Sequence, residues 1–171
     1  NEKVLFSIIF DVTDKENAMK EIKNLAYHDH LTGIYNRRYF EETYTKLNKA
    51  GNQPLAIILG DINGLKMVND SYGHTIGDKL IIEAVRYIQK FIPEYSFLAR
   101  IGGDEFIVLL TKAAEEDVSQ ITDLLEKELE RYIRIGDNGI SNLYLSISFG
   151  YGIQNKDRQS MDDLFKQAES R

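Results

Sequence analysis

Apolar positions along the chain follow the two different periods that distinguish strands from helices. Residues 55–59 (LAIIL) are apolar on both faces and predict a strand in the middle of a sheet. Residues 96–101 and 106–110 predict two more strands, and the paired glycines between them indicate a tight hairpin. Strict alternation over residues 143–149 predicts a fourth strand with one buried face.

Apolar residues at helical spacing separate these strands. The spacing predicts helices over residues 15–29, 36–50, 76–88 and 114–133, and a last helix that begins near Ser160 and is still running at Arg171. Residues 60–74 are rich in Gly, Asn and Asp and are expected to form a loop. A short strand at 4–10 has no local hairpin partner, which suggests the edge of a preceding domain.

The order of the elements indicates the fold class. Strand, helix, strand, strand, helix, strand is a βαββαβ kernel, which is typical of an α+β sandwich with a largely antiparallel sheet. We expect the helices to cover one face of this sheet. Because the architecture supports many unrelated functions, the function has to be argued from individual side chains.

Composition and charge narrow the classes of function. The 171 residues carry 21 Lys and Arg against 27 Asp and Glu, a formal charge of −6, which argues against a protein that coats nucleic acid. With 43% hydrophobic residues the chain can bury a core, and without cysteine it has no disulfide, thiol nucleophile or cysteine-bound metal. No apolar run approaches the ~20 residues of a membrane helix. We therefore expect a cytoplasmic domain, and any membrane anchor would lie outside this sequence.

Three carboxylates are candidates for a metal site. Asp61 follows the predicted central strand, and Asp104 and Glu105 lie in the predicted hairpin turn. If strand and hairpin are neighbours, these acids meet and raise one another's pKa unless a cation neutralises them. Oxygen ligands favour Mg²⁺ or Mn²⁺, and such ions held against a triphosphate are typical of nucleotidyl transfer. The competing interpretation is a strand end and a solvated turn, although Gly102 and Gly103 favour close approach of a base or phosphate.

The segment after Asp61 offers groups that suit a nucleotide. Lys66 and nearby main-chain N–H groups can face phosphates, and Asn69 with Asp78 is a suitable pair for reading guanine. An amide engages both a donor and an acceptor, and a carboxylate accepts from the amino group and ring N–H of guanine. Taken singly, each residue is explained better by local structure: Asn69 by an Asx turn, and Asp78 by the preference for acids near a helix N-terminus.

Four motifs, in the same order, resemble the GGDEF family of bacterial diguanylate cyclases. They are Asp29–Arg38 (DHLTGIYNRR), Asp61–Lys66 (DINGLK), Asn69–Asp78 (NDSYGHTIGD) and Arg100–Phe106 (RIGGDEF), the last of which contains the letters that name the family. The resemblance implies an α+β nucleotidyl-cyclase sheet, similar to ferredoxin-like and polymerase-palm sheets and flanked by helices. It also implies a reaction in which two GTP condense to cyclic di-GMP and two pyrophosphates.

The resemblance implies roles for single residues as well. The expected ligands of two Mg²⁺ (or Mn²⁺) ions per GTP are Asp61, the Ile62 carbonyl and Asp104; the other expected catalytic or substrate-binding residues are Glu105, Lys66, Leu65, Asn69, Asp78, Gly102 and Gly103. Glu105 is expected to assist the ions and the attacking 3′-hydroxyl. Relatives that make mixed purine dinucleotides look altered at the position of Asp78, so Asp here favours guanine.

The resemblance also divides the chain and supplies its partners. We expect residues 1–13 to be the terminal strand of a PAS-like sensor domain, 14–29 a signalling helix, and 30–171 the catalytic domain with a truncated final helix. Each domain of a homodimer would present one GTP to the other, under control of the upstream sensor. We expect no nucleic-acid partner and no membrane segment in this sequence.

Departures from the family pattern sharpen the hypothesis. Asn63 replaces a frequent Asp, and the family's inhibitory product site, R-x-x-D, is absent where it should fall at Pro93–Ser96. We therefore expect that cyclic di-GMP does not inhibit through that site.

The final helix stops before a Tyr-x-x-Lys stretch whose Lys would bind phosphate, so GTP binding is expected to be weak. The alternative function is a non-catalytic GTP-binding or partner-docking module, and Asp78 disfavours a synthase that uses ATP.

Overall fold

The computed structural model describes residues 13–49, 54–129, 143–154 and 159–170. Its helices are α1 (Thr13–Tyr27), α2 (Arg37–Lys49), α3 (Leu65–Tyr72), α4 (His74–Phe91), α5 (Glu115–Leu129) and α6 (Met161–Glu169). Its strands are β1 (Tyr35–Asn36), β2 (Leu55–Ile62), β3 (Phe97–Arg100), β4 (Glu105–Thr111) and β5 (Ile147–Ile153). The strand predicted at 4–10 lies outside the described residues. None of the described helices is both long and apolar enough to cross a bilayer.

The five strands form one mixed sheet in the order β1-β3-β4-β2-β5. β2 lies between β4 and β5 and is antiparallel to both, and β3 and β4 form the predicted hairpin. Two residues of β1, an element that sequence periodicity did not indicate, pair in parallel with β3. This arrangement confirms the predicted α+β class and places the most apolar strand at the interior of the sheet.

Helices cover both faces of the sheet, so the expectation that they cover one face was wrong. Helices α3, α4 and α5 bury one face, where Ile58 of β2 packs in the same cluster as Leu80 of α4. Helices α2 and α6 bury the other, where Ile57 of β2 packs with Phe40 and Leu164. The physical reason is visible in β2 itself, because successive side chains of a strand point to opposite faces and both sets are apolar here.

Residues 60–74 are not a loop, which corrects a second expectation. β2 continues to Ile62, and α3 begins three residues later. Gly64 has φ of 73°, a left-handed conformation that favours glycine, and it turns the chain sharply into the helix. Leu65 and Val68 are buried one helical turn apart, whereas most of the helix is exposed. Two buried residues are enough to attach this short helix to the core. The rest of the segment can therefore be polar and glycine-rich, and its composition resembles that of a loop.

The last strand lies further along the chain than predicted. β5 begins at Ile147 rather than 143 and extends to Ile153 rather than 149. It contains Gly150 and Gly152, and glycine usually weakens a strand interior because it has no side chain to pack. Here the two glycines have a packing role, which alternation of apolar residues cannot indicate.

Two predicted helix ends also need correction. α1 ends at Tyr27 rather than 29 because the chain turns: Asp29 accepts a bond from the Thr32 main-chain N–H, and Gly33, with φ of 73°, donates to the Asp29 carbonyl. α6 begins next to Ser160, as predicted, and Ser160 forms a capping box with Asp163; the helix ends at Glu169. The Ser170 hydroxyl and main-chain N–H both bond the Gln167 carbonyl and close its last turn.

Helix α6 lies directly on the backbone of β5. A Cβ atom at Gly150 would overlap the main-chain carbonyl of Ala168, and one at Gly152 would overlap that of Leu164. The missing side chains therefore let the helix approach the strand more closely than any other residue would allow. In the same contact, the Gln167 side chain accepts a hydrogen bond from the Ile153 main-chain N–H at 3.1 Å. This close packing fixes α6 against the sheet beside the end of β2.

We expect Gly150→Ala to destabilise the domain, because its methyl group must push α6 off the sheet. The typical cost of overpacking is about 1–3 kcal/mol of unfolding free energy, measurable by urea denaturation. The matched control is Gly103→Ala, because nothing lies within 4 Å of the position of a Cβ there. Equal unfolding free energies for the two variants would contradict the packing argument.

Candidate active site

The three candidate acids converge at the end of β2 through the hydrogen-bonded register of the sheet. Asp61 lies directly opposite Glu105 in the β2–β4 ladder. The next residue, Ile62, donates its main-chain N–H to the Asp104 carbonyl at 3.0 Å. The hairpin closes beside them, where the Ile101 N–H donates to the Glu105 carbonyl at 2.9 Å. The structure therefore places the three acidic residues that the sequence pattern singled out at neighbouring strand ends.

The acids form a centre of unbalanced negative charge. Partial burial, followed by the nearby charges of Asp104 and Glu105, raises the pKa of Asp61 above its usual range. Within the described parts of the chain, no three His, Cys, Asp or Glu side chains are already grouped tightly enough to hold a metal ion. The ends of the strands therefore lie close together, but the carboxylate groups do not surround a common point.

The two glycines of the hairpin differ in their surroundings. A Cβ at Gly102 would collide with the carboxylate of Glu105, whereas nothing lies within 4 Å of the position of a Cβ at Gly103. Gly102 thus leaves space that the Glu105 side chain uses, and Gly103 leaves open space on the exposed side of the turn.

A polar cluster at the start of β5 supports the other side of β2, and the sequence pattern did not indicate it. The Asn63 amide donates to the Ser146 hydroxyl at 3.0 Å and accepts from the Ser148 hydroxyl at 3.1 Å. The Asn63 main-chain N–H also bonds the Ser146 carbonyl. Ser148 lies opposite Asp61 in the β2–β5 ladder. Asn63 therefore ties the segment after Asp61 to β5, which requires an amide that both donates and accepts.

Asn69 and Asp78, the predicted guanine-reading pair, lie close together on α3 and α4. A Cβ at Gly77 would overlap the Asn69 side-chain oxygen, so this amide rests against the first turn of α4, one residue before Asp78. Asp78 is exposed and Asn69 is half-buried. Gly77 was not predicted as a site residue, yet its missing side chain is what makes room for the Asn69 amide.

Lys66 and Leu65 occupy the first turn of α3. Leu65 is buried in the core cluster and anchors the helix, and Lys66 is exposed. The sequence prediction treated both as residues at the phosphates. In the structure, Leu65 can act there through its main chain, since its side chain faces the core.

The sequence suggests two roles for Arg100, a brace for the acids or an ordinary exposed strand residue, and the structure places it in an ion pair behind the hairpin. Arg100 Nη1 lies 3.1 Å from Asp29 Oδ1, and only 12% and 15% of the two side chains are exposed. Arg100 also donates from Nε to the Gly103 carbonyl at 3.2 Å. Burial opposes ionisation of Asp29, but hydrogen bonds from Thr32 and Arg100 and the charge of Arg100 outweigh it, and the pKa of Asp29 is lowered. Arg100 braces the hairpin main chain rather than the three acids.

A cavity of about 600 Å³ opens between the acids, the start of α2 and the end of α6. Its floor is apolar, with Leu59 and Phe149 among the lining residues. Its polar lining residues include Arg37, Asp61, Glu105, Ser148 and Glu169. The cavity is therefore continuous with the cluster of acids and reaches away from α3 and α4.

The family model described as "Diguanylate cyclase, GGDEF domain" matches residues 26–171. The chain belongs to the GGDEF domain family. Signaling protein YkoW of Bacillus subtilis is 33% identical to it over 172 residues, which are 96% of this chain and 21% of that protein. Probable diguanylate cyclase DgcT of Escherichia coli is 32% identical over 157 residues, 90% of this chain and 34% of that protein. This GGDEF domain thus spans a fifth to a third of the length of these two relatives.

A solved structure supports the fold of this GGDEF domain. The crystal structure of the coiled coil and GGDEF domain of DgcB from Caulobacter crescentus, in complex with c-di-GMP, aligns with a TM-score of 0.80. The two chains are 22% identical, and the alignment covers 93% of this chain and 85% of that one. At this identity the likeness shows the fold alone, and it agrees with the family assignment.

We expect Arg100→Met to destabilise the GGDEF domain, because the charged Asp29 carboxylate would stay buried without the positive charge that compensates it. Removing one member of a well-buried pair typically costs 3–5 kcal/mol; for this partly exposed pair we expect about 1–3 kcal/mol of unfolding free energy. Since the pKa of Asp29 is lowered in the folded protein, the pair stabilises above the ordinary Asp pKa of about 3.9, and this contribution is lost as the pH falls through the folded value.

The control for this prediction is Arg86→Met. Arg86 pairs with Glu83, but 66% of its side chain is exposed, so its loss should cost no more than about 1 kcal/mol. Urea denaturation of both variants at pH 7 measures the difference. An Arg100 variant no less stable than the Arg86 variant would contradict the proposed importance of the buried pair.

We expect Asp61→Asn to stabilise the metal-free domain at pH 7. The pKa of the Asp61 carboxyl is raised in the folded state, so folding favours its protonated form. The contribution of Asp61 to stability is therefore fully present below its unfolded pKa and is lost as the pH rises through its folded pKa. Because Asp61 is only slightly buried and its side chain is exposed to solvent, we expect a gain below about 1 kcal/mol, or at most about 2–4 °C in melting temperature. The gain should shrink as the pH is lowered toward 4.

The measurement is a melting curve in EDTA, repeated with Mg²⁺. Asp123→Asn, which removes an exposed acid of α5, controls for net charge. Mg²⁺ should raise the melting temperature of the unmodified chain more than that of Asp61→Asn, because an ion that binds the folded state stabilises it. A lower melting temperature for Asp61→Asn in EDTA would contradict the expectation that the folded domain disfavours the ionised Asp61.

Proposed function

We propose that this GGDEF domain is a diguanylate cyclase, which condenses two GTP into cyclic di-GMP and two pyrophosphates. The observation that carries the proposal is the register of β2, which sets Asp61 opposite Glu105 and bonds Ile62 to Asp104. In each half-reaction a 3′-hydroxyl attacks the α-phosphorus of the other GTP. A new P–O bond forms, the bond to the β-phosphate oxygen breaks, and the hydroxyl proton and pyrophosphate leave.

The residues at this centre fit divalent cations of the magnesium type. Asp61, the Ile62 main-chain carbonyl and Asp104 would hold them, and every donor is an oxygen atom, which Mg²⁺ and Mn²⁺ prefer. The raised pKa of Asp61 is a second argument for fit, because partial burial and neighbouring charges both disfavour its ionised form and a cation would offset them. Two bound ions would supply activation of the 3′-hydroxyl and stabilisation of the leaving pyrophosphate. Glu105 would orient the hydroxyl and accept its proton.

The base of GTP would be read on the other side of β2. The Asn69 amide can meet one acceptor and one donor of guanine, and the exposed Asp78 carboxylate can accept from the ring N–H and the amino group. Adenine presents no ring N–H at that position, so Asp78 selects guanine. Lys66 and the main chain of Leu65 would face the phosphates, and Gly102 and Gly103 would let the substrate approach the hairpin.

Dimerisation is the second part of the proposal. One domain binds one GTP, so a cyclic product of two nucleotides needs two domains facing each other. Helix α1 offers a surface for this, since Met19, Ile22 and Leu25 are 50%, 61% and 77% exposed. In the longer protein we assign residues 1–13 to a PAS-like sensor, 14–29 to a signalling helix and 30–171 to the cyclase, so that the sensor would set the alignment of the two domains.

Incubation of the chain with GTP and Mg²⁺, followed by mass spectrometry of the products, tests this function. We expect cyclic di-GMP, formed at a rate per mole of protein that increases with protein concentration. Glu105→Gln should lower the rate by at least about a hundredfold, the scale of a lost acid–base or metal-assisting group. Glu94→Gln, the same chemical change at an exposed residue of the turn after α4, should leave the rate unchanged.

Two outcomes would overturn the proposal. GTP binding without any cyclic product, even at high protein concentration, would support a non-catalytic GTP-binding module instead. Equal activity of the Glu105 and Glu94 variants would show that the product arises elsewhere than at the hairpin.

A further inference from the structure

The cavity beside the acids contains one cation among the described residues that line it. Asp61, Glu105 and Glu169 contribute negative charge, and Arg37, the first residue of α2, contributes the positive charge. A nucleotide triphosphate that entered this cavity would bring several more negative charges. Even with metal ions at Asp61, the phosphates farthest from that residue would need a positive partner, and the geometry of the cavity gives them Arg37.

The position of Arg37 relative to the base-reading pair indicates which phosphates it would meet. Asn69 and Asp78 lie on the helices that cover one face of the sheet, and α2 covers the opposite face. Asp61, at the end of β2, lies between the two sides. A nucleotide with its base at Asn69 and its reacting α-phosphate at Asp61 can therefore extend its terminal phosphates across the end of β2 toward Arg37.

Arg37 can be released for such a contact at little cost. Its Nε bonds Glu41 one turn along α2 at 2.9 Å, but the two side chains are 66% and 44% exposed. An exposed pair of this spacing is worth only about 0.3–0.5 kcal/mol. A guanidinium bound to phosphate forms charge-assisted hydrogen bonds, often two in parallel, which are considerably stronger. A phosphate group at the cavity would therefore outcompete Glu41 for Arg37.

We propose that Arg37 binds the terminal phosphates of GTP and the pyrophosphate that leaves. This inference rests on the proposed cyclase function and adds a substrate-binding residue to it. In the reaction Arg37 would hold the leaving group in line with the attacking hydroxyl, on the far side of Asp61 from the base.

The next residue in the chain provides an unusually close control. Arg38 is also 66% exposed and also pairs with a glutamate one turn along, Glu42, at 3.1 Å. However, its guanidinium lies 5.6 Å from the centre of the Tyr27 ring, on the side of α2 that faces α1. Arg38 is not among the residues that line the cavity. The two arginines thus match in type, exposure and pairing, and differ in whether they face the site.

The test compares Arg37→Met with Arg38→Met in pyrophosphate binding and in turnover. Calorimetric titration with pyrophosphate and Mg²⁺ should show about tenfold weaker binding for Arg37→Met, the scale of one charge-assisted contact, and less than twofold change for Arg38→Met. The KM for GTP should follow the same pattern. Binding of GMP, which lacks the terminal phosphates, should be the same in all three proteins, and Arg37→Lys should recover part of the lost affinity.

The outcomes separate this inference from the proposed function. Absence of cyclic di-GMP from the unmodified chain would refute the cyclase proposal, but the pyrophosphate titration would still test Arg37. Unchanged pyrophosphate binding by Arg37→Met, or an equal loss in both variants, would overturn the assignment of Arg37, since an equal loss reflects net charge alone. Matching melting temperatures for the two variants would exclude a difference in folding as the cause.

Discussion

The hydrogen-bonded register of β2 is the constraint on which the site depends. Side chains on a strand alternate between faces, so a slip of one residue would move Asp61 to the other face and Ile62 into its place. The register is held by hydrogen-bonded pairing of β2 on both sides and by the close packing of its side chains on both faces. The position of a single carboxylate is therefore determined by an entire apolar strand. The bonds from Asn63 to Ser146 and Ser148 extend that control past the end of the ladder.

Electrostatics at the site act in the opposite direction to packing. The fold brings Asp61, Asp104 and Glu105 to neighbouring strand ends, although partial burial and then the charges of Asp104 and Glu105 raise the pKa of Asp61. Packing supplies the energy that holds them there. This arrangement is typical of functional sites, where strongly interacting ionisable groups are tolerated because their chemistry requires them. By contrast, Arg100 and Asp29 lie nearby and compensate each other's charge. This pair stabilises the fold and adds no net negative charge that a cation would have to neutralise.

The sequence predicts the parts of the fold whose apolar pattern is complete. The strand at 55–59, the hairpin around Gly102 and Gly103, and the helix that carries Leu80 were all recognisable because burial and periodicity agree there. Family motifs then indicated the fold and the family membership, which the family match confirmed. The roles of single site residues stay predictions. Helix α3 and strand β5 were predicted poorly because polar and glycine residues in them serve tertiary contacts. The periodicity of apolar residues could not indicate the proposed role of Arg37 either, because that role depends on a cavity that three distant segments of the chain enclose.

The close packing of α6 on Gly150 and Gly152 has a consequence for the potential at the site. Leu164 lies over Gly152 and Ala168 over Gly150, so the helix runs toward the strand end that carries Ser148, opposite Asp61. The C-terminal end of a helix bears a partial negative charge of about half an elementary unit, because its last carbonyl groups are unpaired. The glycines thus bring the negative pole of a helix dipole to a cavity already lined by Asp61 and Glu105. The peptide backbone thus adds to a negative potential that Arg37 and bound cations would have to offset before phosphates could enter the cavity.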